Sequence, residues 1–134
     1  MGNVKIPCII LLTHGRWGDE IIKSTEMITG PMENIYAFSL SPEMDIKTYT
    51  DSIKEVLKHS EADAILITDL YCSTTTNVAL SLSKDFDINI ITGLNMYLLI
   101  QIDKMRRKYN LSMKDELKWI IEENRSKCDL LYLK

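Results

Sequence analysis

Four unbroken apolar runs limit what this chain can fold into: residues 8–13 (CIILLT), Ile35–Leu40 (IYAFSL), Ala64–Thr68 (AILIT) and Ile88–Thr92 (INIIT). None of them carries a charged residue. A strand with one wet face alternates apolar and polar side chains, so the continuous runs at 8–13 and 64–68 predict strands covered on both faces, and the other two runs read as further strands. The segments between the runs have a different rhythm. Trp17, Ile21, Thr25 and Ile28 recur at helical spacing, which predicts a helix over 17–28 with that face inward, stopped by Gly30-Pro31. Ile46, Tyr49, Ile53, Val56 and Leu57 line a second helix, residues 76–82 form a short third and 96–108 a fourth. Ser112, with Asp115 three residues later, reads as a capping box that opens a fifth helix through about Asn124. Residues 130–133 (LLYL) are too apolar for a free tail and predict a short terminal strand on a sheet edge. Strands alternating with helices predict an α/β fold: one open, mainly parallel β-sheet with helices on both faces.

With 134 residues, the chain is expected to form one domain over 1–134. Sixteen Lys plus Arg against 19 Asp plus Glu leave a net charge of −3, which argues against general nucleic-acid binding. No apolar run reaches the roughly 18–20 residues of a membrane span. The first residues lack a signal-peptide pattern, and Ile6 stands where a myristoylation signal needs Ser or Thr. Cys8, Cys72 and Cys128 are widely spaced and odd in number, with no C-x-x-C pair. That is the usage of reduced thiols in a cytoplasmic protein rather than of a disulfide framework or zinc site. No cluster has metal-ligand spacing, so no metal and no cofactor are expected.

In open parallel sheets, ligands bind beyond the carboxyl ends of the strands. Function should therefore lie after the apolar runs, at Thr13-His14-Gly15, Ser41-Pro42-Glu43, Thr68-Asp69 and Thr92-Gly93-Leu94-Asn95. There are two histidines. His59 ends a predicted helix, where an imidazole is favoured by the helix dipole and usually sits at the surface. His14 follows the first buried run, and Asp69 follows the third. A β-α-β connection can bring those two strand ends side by side. A carboxylate that accepts an N–H from one imidazole nitrogen fixes the tautomer and leaves a lone pair on the other, as a nucleophilic histidine requires. The nearby hydroxyls of Thr13, Thr68, Ser73, Thr74, Thr75 and Thr76, and main-chain N–H groups at the start of the third helix, could donate to phosphoryl oxygens. The same hydroxyls could equally serve as helix caps.

These residues carry a resemblance. Thr13-His14-Gly15-Arg16-Trp17 with Glu26-Met27-Ile28-Thr29-Gly30 is the first signature, and Ser39-Leu40 with Pro42 and Asp45 the second. Thr68-Asp69-Leu70-Tyr71 with Asn77-Val78-Ala79 is the third, and Thr92-Gly93-Leu94-Asn95-Met96 the fourth. In order and spacing they resemble the IIA subunit or domain of the mannose-type bacterial phosphoenolpyruvate:sugar phosphotransferase system, over 8–129. The resemblance implies a phosphorylated histidine at His14, an orienting carboxylate at Asp69 and a phosphate-contacting hydroxyl at Thr74; Thr13, Thr68 and Ser73 are further candidate phosphoryl donors by position alone. It implies the phosphocarrier HPr as donor and a IIB component as acceptor, with a membrane permease (IIC/IID) served indirectly. It also implies a cytoplasmic protein that can associate with that permease, and a homodimer in which the C-terminal strand is exchanged.

One loop departs from the family pattern. Typical members read Gly-Gly-Ser-Pro where this chain reads Cys72-Ser73-Thr74-Thr75, and Tyr97 stands where Pro is common. Side chains at positions that suit glycine predict strain or an altered loop path. The change motivates a second reading, a regulatory or binding module with impaired onward transfer. A cysteine hydrolase built from Cys72, His14 and Asp69 has no nucleophile signature around Cys72 to support it.

Overall fold

The computed structural model describes residues 6–60, 63–108 and 113–132. The expected cap residue Ser112 and the end of the expected terminal strand, Leu133, lie outside the described residues. Elements follow in the order β1 (Cys8–His14), α1 (Trp17–Thr29), β2 (Ile35–Leu40), α2 (Ile46–Lys58), β3 (Ala64–Thr68), α3 (Thr74–Leu82), β4 (Ile88–Thr92), α4 (Met96–Arg107) and α5 (Met113–Arg125). The four apolar runs are the four strands of one sheet, in the order β2-β1-β3-β4, and every pairing is parallel.

The unbroken apolar sequences of the two central strands follow from burial on two sides. Ile9, Leu11, Ile65, Ile67 and Ile91 face α1, α4 and α5, whereas Ile10, Leu12 and Leu66 face α2 and α3. β1 and β3 occupy the middle of the sheet, and apart from His14 at the mouth of the sheet both are buried from end to end. Two helices have side-chain caps that were not singled out by the sequence. Asp45 caps α2 by accepting the Thr48 N–H at 3.1 Å, and Asn95 caps α4 by accepting the Leu98 N–H at 2.9 Å.

Two expectations are corrected. The inward face of α1 keeps Ile21 and Thr25 of the expected set but not its ends, Trp17 and Ile28, which are 39% and 65% exposed. Gly18 is buried in place of Trp17, and Ile22 packs against the core beside Ile21. The cause is a close approach at Gly18. A Cβ there would meet Thr13 Oγ1 at 3.1 Å and Ala37 Cβ at 3.3 Å, so the helix seats its glycine on the sheet and rotates Trp17 outward. The second correction concerns the C-terminus. Leu130, Leu131 and Tyr132 belong to no strand and are 80%, 86% and 73% exposed. A segment this short gains too little from pairing alone, and it meets no sheet edge of its own chain.

Arg106 was not singled out by the sequence, yet its side chain is fully buried. Its Nε donates to Asp103 Oδ1 at 2.9 Å, and Nη1 donates to the carbonyls of Pro7 and Asn34, each at 3.0 Å. Nη2 sits 2.8 Å from Asp103 Oδ1 as an ion-pair contact, but off the line of a hydrogen bond. The guanidinium thus pins α4 to the starts of β1 and β2, at the end of the sheet opposite His14. Truncation would take the Arg106 donor from the Pro7 carbonyl, leave the Asn34 carbonyl with the Ile9 N–H alone and leave Asp103 with Arg107 alone. We predict that Arg106→Ala lowers unfolding stability by about 3–5 kcal/mol, as breaking a buried pair does. Arg107→Ala, at a half-exposed partner of the same carboxylate, should cost about 1 kcal/mol or less. Urea unfolding of both variants checks the contrast, and equal losses would refute it.

Candidate functional site

The register of the sheet assembles the site. Leu12 on β1 pairs with Thr68 on β3, so the residues that follow, His14 and Asp69, emerge side by side at the carboxyl edge. The Asp69 N–H extends the pairing by donating to the Leu12 carbonyl at 3.1 Å. Gly15, at φ +76°, turns the chain sharply after His14, and its N–H donates to the Leu40 carbonyl at 2.8 Å. On the other flank, the N–H groups of Gly93 and Leu94 both donate to the Thr68 carbonyl, at 2.9 and 3.1 Å. Asp69 therefore stands on a strand end braced from both sides.

The Asp69 carboxylate binds His14 twice through one oxygen. Oδ2 accepts the His14 main-chain N–H at 2.7 Å and lies 3.0 Å from the ring Nδ1. Oδ1 lies 3.2 Å from Nδ1 and accepts the Thr75 hydroxyl at 2.9 Å. The Asp69 side chain is 7% exposed and the His14 side chain 47% exposed. Burial pushes the Asp69 carboxyl up, but the His14 N–H, the His14 ring and the Thr75 hydroxyl outweigh it and hold the group below the ordinary 3.8. An ionised carboxylate only accepts, so Nδ1 carries the proton. In the neutral ring Nε2 is then left with a lone pair, on an imidazole half open to solvent. The pairing stabilises the fold above the ordinary carboxyl value, and that stability is lost as pH falls through the lowered one.

The hydroxyls separate into two groups. Thr13 and Thr68 are fully buried and engaged inside the fold. Thr13 Oγ1 donates to the Gly15 carbonyl at 2.8 Å, and Thr68 Oγ1 meets Thr76 Oγ1 at 2.8 Å. Thr76 in turn donates to the Leu70 carbonyl at 2.7 Å. Ser73 donates to the same carbonyl at 2.7 Å and touches Thr75 Oγ1 at 2.9 Å. Thr74 differs: it is exposed, opens α3, and its hydroxyl makes no hydrogen bond among the described residues. Ser73 is the N-cap of α3 but makes no side-chain cap, unlike Asp45 and Asn95 at α2 and α4. The first amides of α3 therefore have no side-chain acceptor, and the same turn reaches Asp69 through Thr75; helix N-termini of this kind favour anions.

His59 caps α2 through its backbone at the far end of the sheet, away from this cluster. Cys72 is exposed and makes no hydrogen bond to His14, whose ring is paired with Asp69. No group of three or more potential metal ligands gathers among the described residues. Thr75 is the site residue the sequence ranked no higher than its neighbours. Its offset of six from Asp69, across one turn into a helix, was the only available sign.

The substituted loop carries strain at one of its two positions. Cys72 sits at φ +55°, the left-handed region that favours glycine. Ser73 has φ −126° and ψ 177°, extended backbone open to any residue. The two glycine substitutions should thus act in opposite directions. We predict that Cys72→Gly is stabilising by up to about 1 kcal/mol, since relief of a left-handed Cβ outweighs added chain entropy. Ser73→Gly should destabilise by about 1–2 kcal/mol, because it deletes contacts to Leu70 and Thr75 and adds entropy without relieving strain. Chemical denaturation measures both, and a destabilising Cys72→Gly would contradict the loop geometry.

Comparison with known proteins gives this arrangement a family. Residues 8–120 match the family described as PTS system fructose IIA component, EIIA-man. No curated protein sequence matches the chain closely. Among solved structures, the mannose/sorbose-specific IIA subunit of the phosphotransferase system from Enterococcus faecalis superposes with a TM-score of 0.83, at 22% identity over 96% of both chains. The phosphotransferase system component EIIA from Streptococcus agalactiae gives 0.79 at 24% identity, over 89% of this chain and 92% of that one. A PTS IIA protein associated with a fucose utilization operon in Streptococcus pneumoniae gives 0.76 at 21% identity, over 92% and 93%. At these identities the structures establish a shared fold, and the match over 8–120 supplies the family: the chain belongs to the mannose-type IIA components of the sugar phosphotransferase system.

Proposed function

We propose that His14 is the phosphohistidine of this IIA component, charged by phosphorylated HPr and discharged to a IIB component in phosphoenolpyruvate-dependent sugar uptake. The observation that carries the reading is the His14–Asp69 pair, a nearly buried carboxylate 3.0 Å from Nδ1 of a half-exposed ring. The Nε2 lone pair attacks phosphorus, the donor's N–P bond breaks, and its electron pair returns to the donor imidazole. Transfer to IIB is the same exchange with His14 as the leaving group. Such a step asks the protein for alignment and charge stabilisation rather than for a cofactor. Asp69 stabilises the positive charge that the ring acquires. Thr74 and the first amides of α3 are the donors suited to the phosphoryl oxygens. Thr13, Thr68 and Ser73 support that cradle from within rather than touching the group, since their hydroxyls are already engaged.

A protein donor suits the surroundings. Trp17, Leu70 and Tyr71, close in sequence to His14 and Asp69, expose 39%, 58% and 73% of their surface. Leu130, Leu131 and Tyr132 leave a second apolar surface, which favours a homodimer joined through this segment. None of the described helices is long and apolar enough to cross a membrane. The strained Cys72 favours a second reading, a regulatory module on this fold that accepts a phosphoryl group but passes it on poorly.

Incubation with phosphoenolpyruvate, enzyme I and HPr should add one acid-labile phosphoryl group, lost in His14→Ala and retained in His59→Ala. Labelling that survives His14→Ala would end the assignment. Asp69→Asn should slow charging by about a hundredfold or more, the usual scale for a misplaced catalytic ring, and Thr74→Ala by about tenfold. Discharge by a purified IIB component separates the two readings: rapid loss of label marks a carrier, persistence a regulatory module. Light scattering on a variant lacking residues 129–134 tests assembly. Conversion of a dimer to a monomer is expected, and a full-length monomer would refute it.

A further inference from the structure

We infer that Thr75 is a positioning residue for the phosphoryl transfer proposed above, acting through the orientation of the Asp69 carboxylate. The proposal rests on the His14 reading and extends it to a side chain that touches neither the reacting ring nor its donor.

The argument begins with the number of protons. A threonine hydroxyl has one proton, and that of Thr75 goes to Asp69 Oδ1 at 2.9 Å. Thr75 is fully buried, so water does not compete for it. Of the hydroxyls clustered at this strand end, Thr75 alone donates to the carboxylate. Its proton is thereby unavailable to a phosphoryl oxygen.

The carboxylate needs this partner. Rotation about the terminal bond of an aspartate is broad and nearly two-fold, so one anchored oxygen does not fix the plane. Oδ2 is held from β1 by the His14 N–H and ring, and Oδ1 is held from α3 by Thr75. Two anchors on different elements define the plane in which the Nδ1–H must lie. Ser73 Oγ lies 2.9 Å from Thr75 Oγ1 and 2.7 Å from the Leu70 carbonyl, and its one proton goes to one or the other. In either case Ser73 does not cap its own helix. The other titratable groups facing Asp69 are His14 and, across the packed α2, Tyr49, whose hydroxyl is committed to the Phe38 carbonyl at 2.7 Å. Nδ1 of His14 also lies 3.2 Å from Oδ1, but its one proton is shared with Oδ2 at 3.0 Å, so without Thr75 no donor is committed to Oδ1.

Thr75→Val removes the hydroxyl and keeps the shape, and Thr75→Ser restores the hydroxyl. In the full chain, carbon-13 NMR of the Asp69 carboxyl should place its titration midpoint about one pH unit higher in Thr75→Val, the scale of one hydrogen bond to a charged group. Thr75→Ser should return it to the wild-type value. In stopped-flow transfer from phosphorylated HPr, Thr75→Val should lower the maximal rate about tenfold with an unchanged KM, and Thr75→Ser should recover most of it. A purely structural role would instead reduce the active fraction without moving the Asp69 midpoint. A wild-type midpoint in folded Thr75→Val overturns the proposal, and so does a shifted midpoint with a wild-type rate. Thr75→Ala provides the same two readouts should the valine variant not fold. If wild-type protein takes no phosphoryl group, the function proposed above fails, while the carboxyl titration still decides whether Thr75 orients Asp69.

Discussion

An ionised carboxylate that is almost out of water must have its oxygens occupied, and Asp69 meets that demand with groups from two other elements. The His14 N–H and ring come from β1, and the Thr75 hydroxyl comes from α3. Leaving such a group unpaired would cost several kcal/mol or force its protonation. The same bonds that make the buried charge tolerable also fix the tautomer and orientation of His14. Stability and chemistry therefore rest on one set of contacts, and the site cannot loosen without a cost to the fold around it.

The rest of the architecture keeps that carboxylate in place. β1 and β3 are the two central strands, buried on both faces, so their ends move little relative to one another. Gly93 and Leu94 tie the end of β4 to Thr68, and Gly15 folds the chain away so that the His14 ring is left at the mouth of the sheet. At the opposite end, Arg106 clamps α4 against the starts of β1 and β2. Rigid strands below and short loops above are a common division of labour in open parallel sheets.

Much of this was legible in the sequence, for identifiable reasons. All four apolar runs became strands of the parallel sheet, and the two central ones, β1 and β3, are buried on both faces. The pairing of His14 with Asp69 followed from both residues ending adjacent buried strands. Several residues of the family signatures have structural duties that spacing alone does not reveal. Glu26 accepts the Met32 N–H at 2.8 Å across the Gly30-Pro31 turn, and Asp45 and Asn95 cap helices. The start of the inward face of α1 was misplaced because periodicity counts apolar side chains, whereas the contact is made by a glycine that has none. Arg106 was hidden because a buried arginine looks, in sequence, like any basic residue at a helix end. The terminal strand was expected from apolarity, which does not name the edge that would receive it. Thr75 stood unranked among six hydroxyls, since proton direction belongs to the folded geometry.

The central claim is that Asp69 holds the proton on Nδ1 of His14 and leaves Nε2 as the nucleophile. Long-range proton–nitrogen correlation NMR on nitrogen-15-labelled protein, at a pH where the ring is neutral, reads this directly. Two distinct ring nitrogens are predicted for His14, with Nδ1 protonated and Nε2 carrying the lone pair. A neutral His14 with its proton on Nε2, or one exchanging evenly between both nitrogens, would contradict the account.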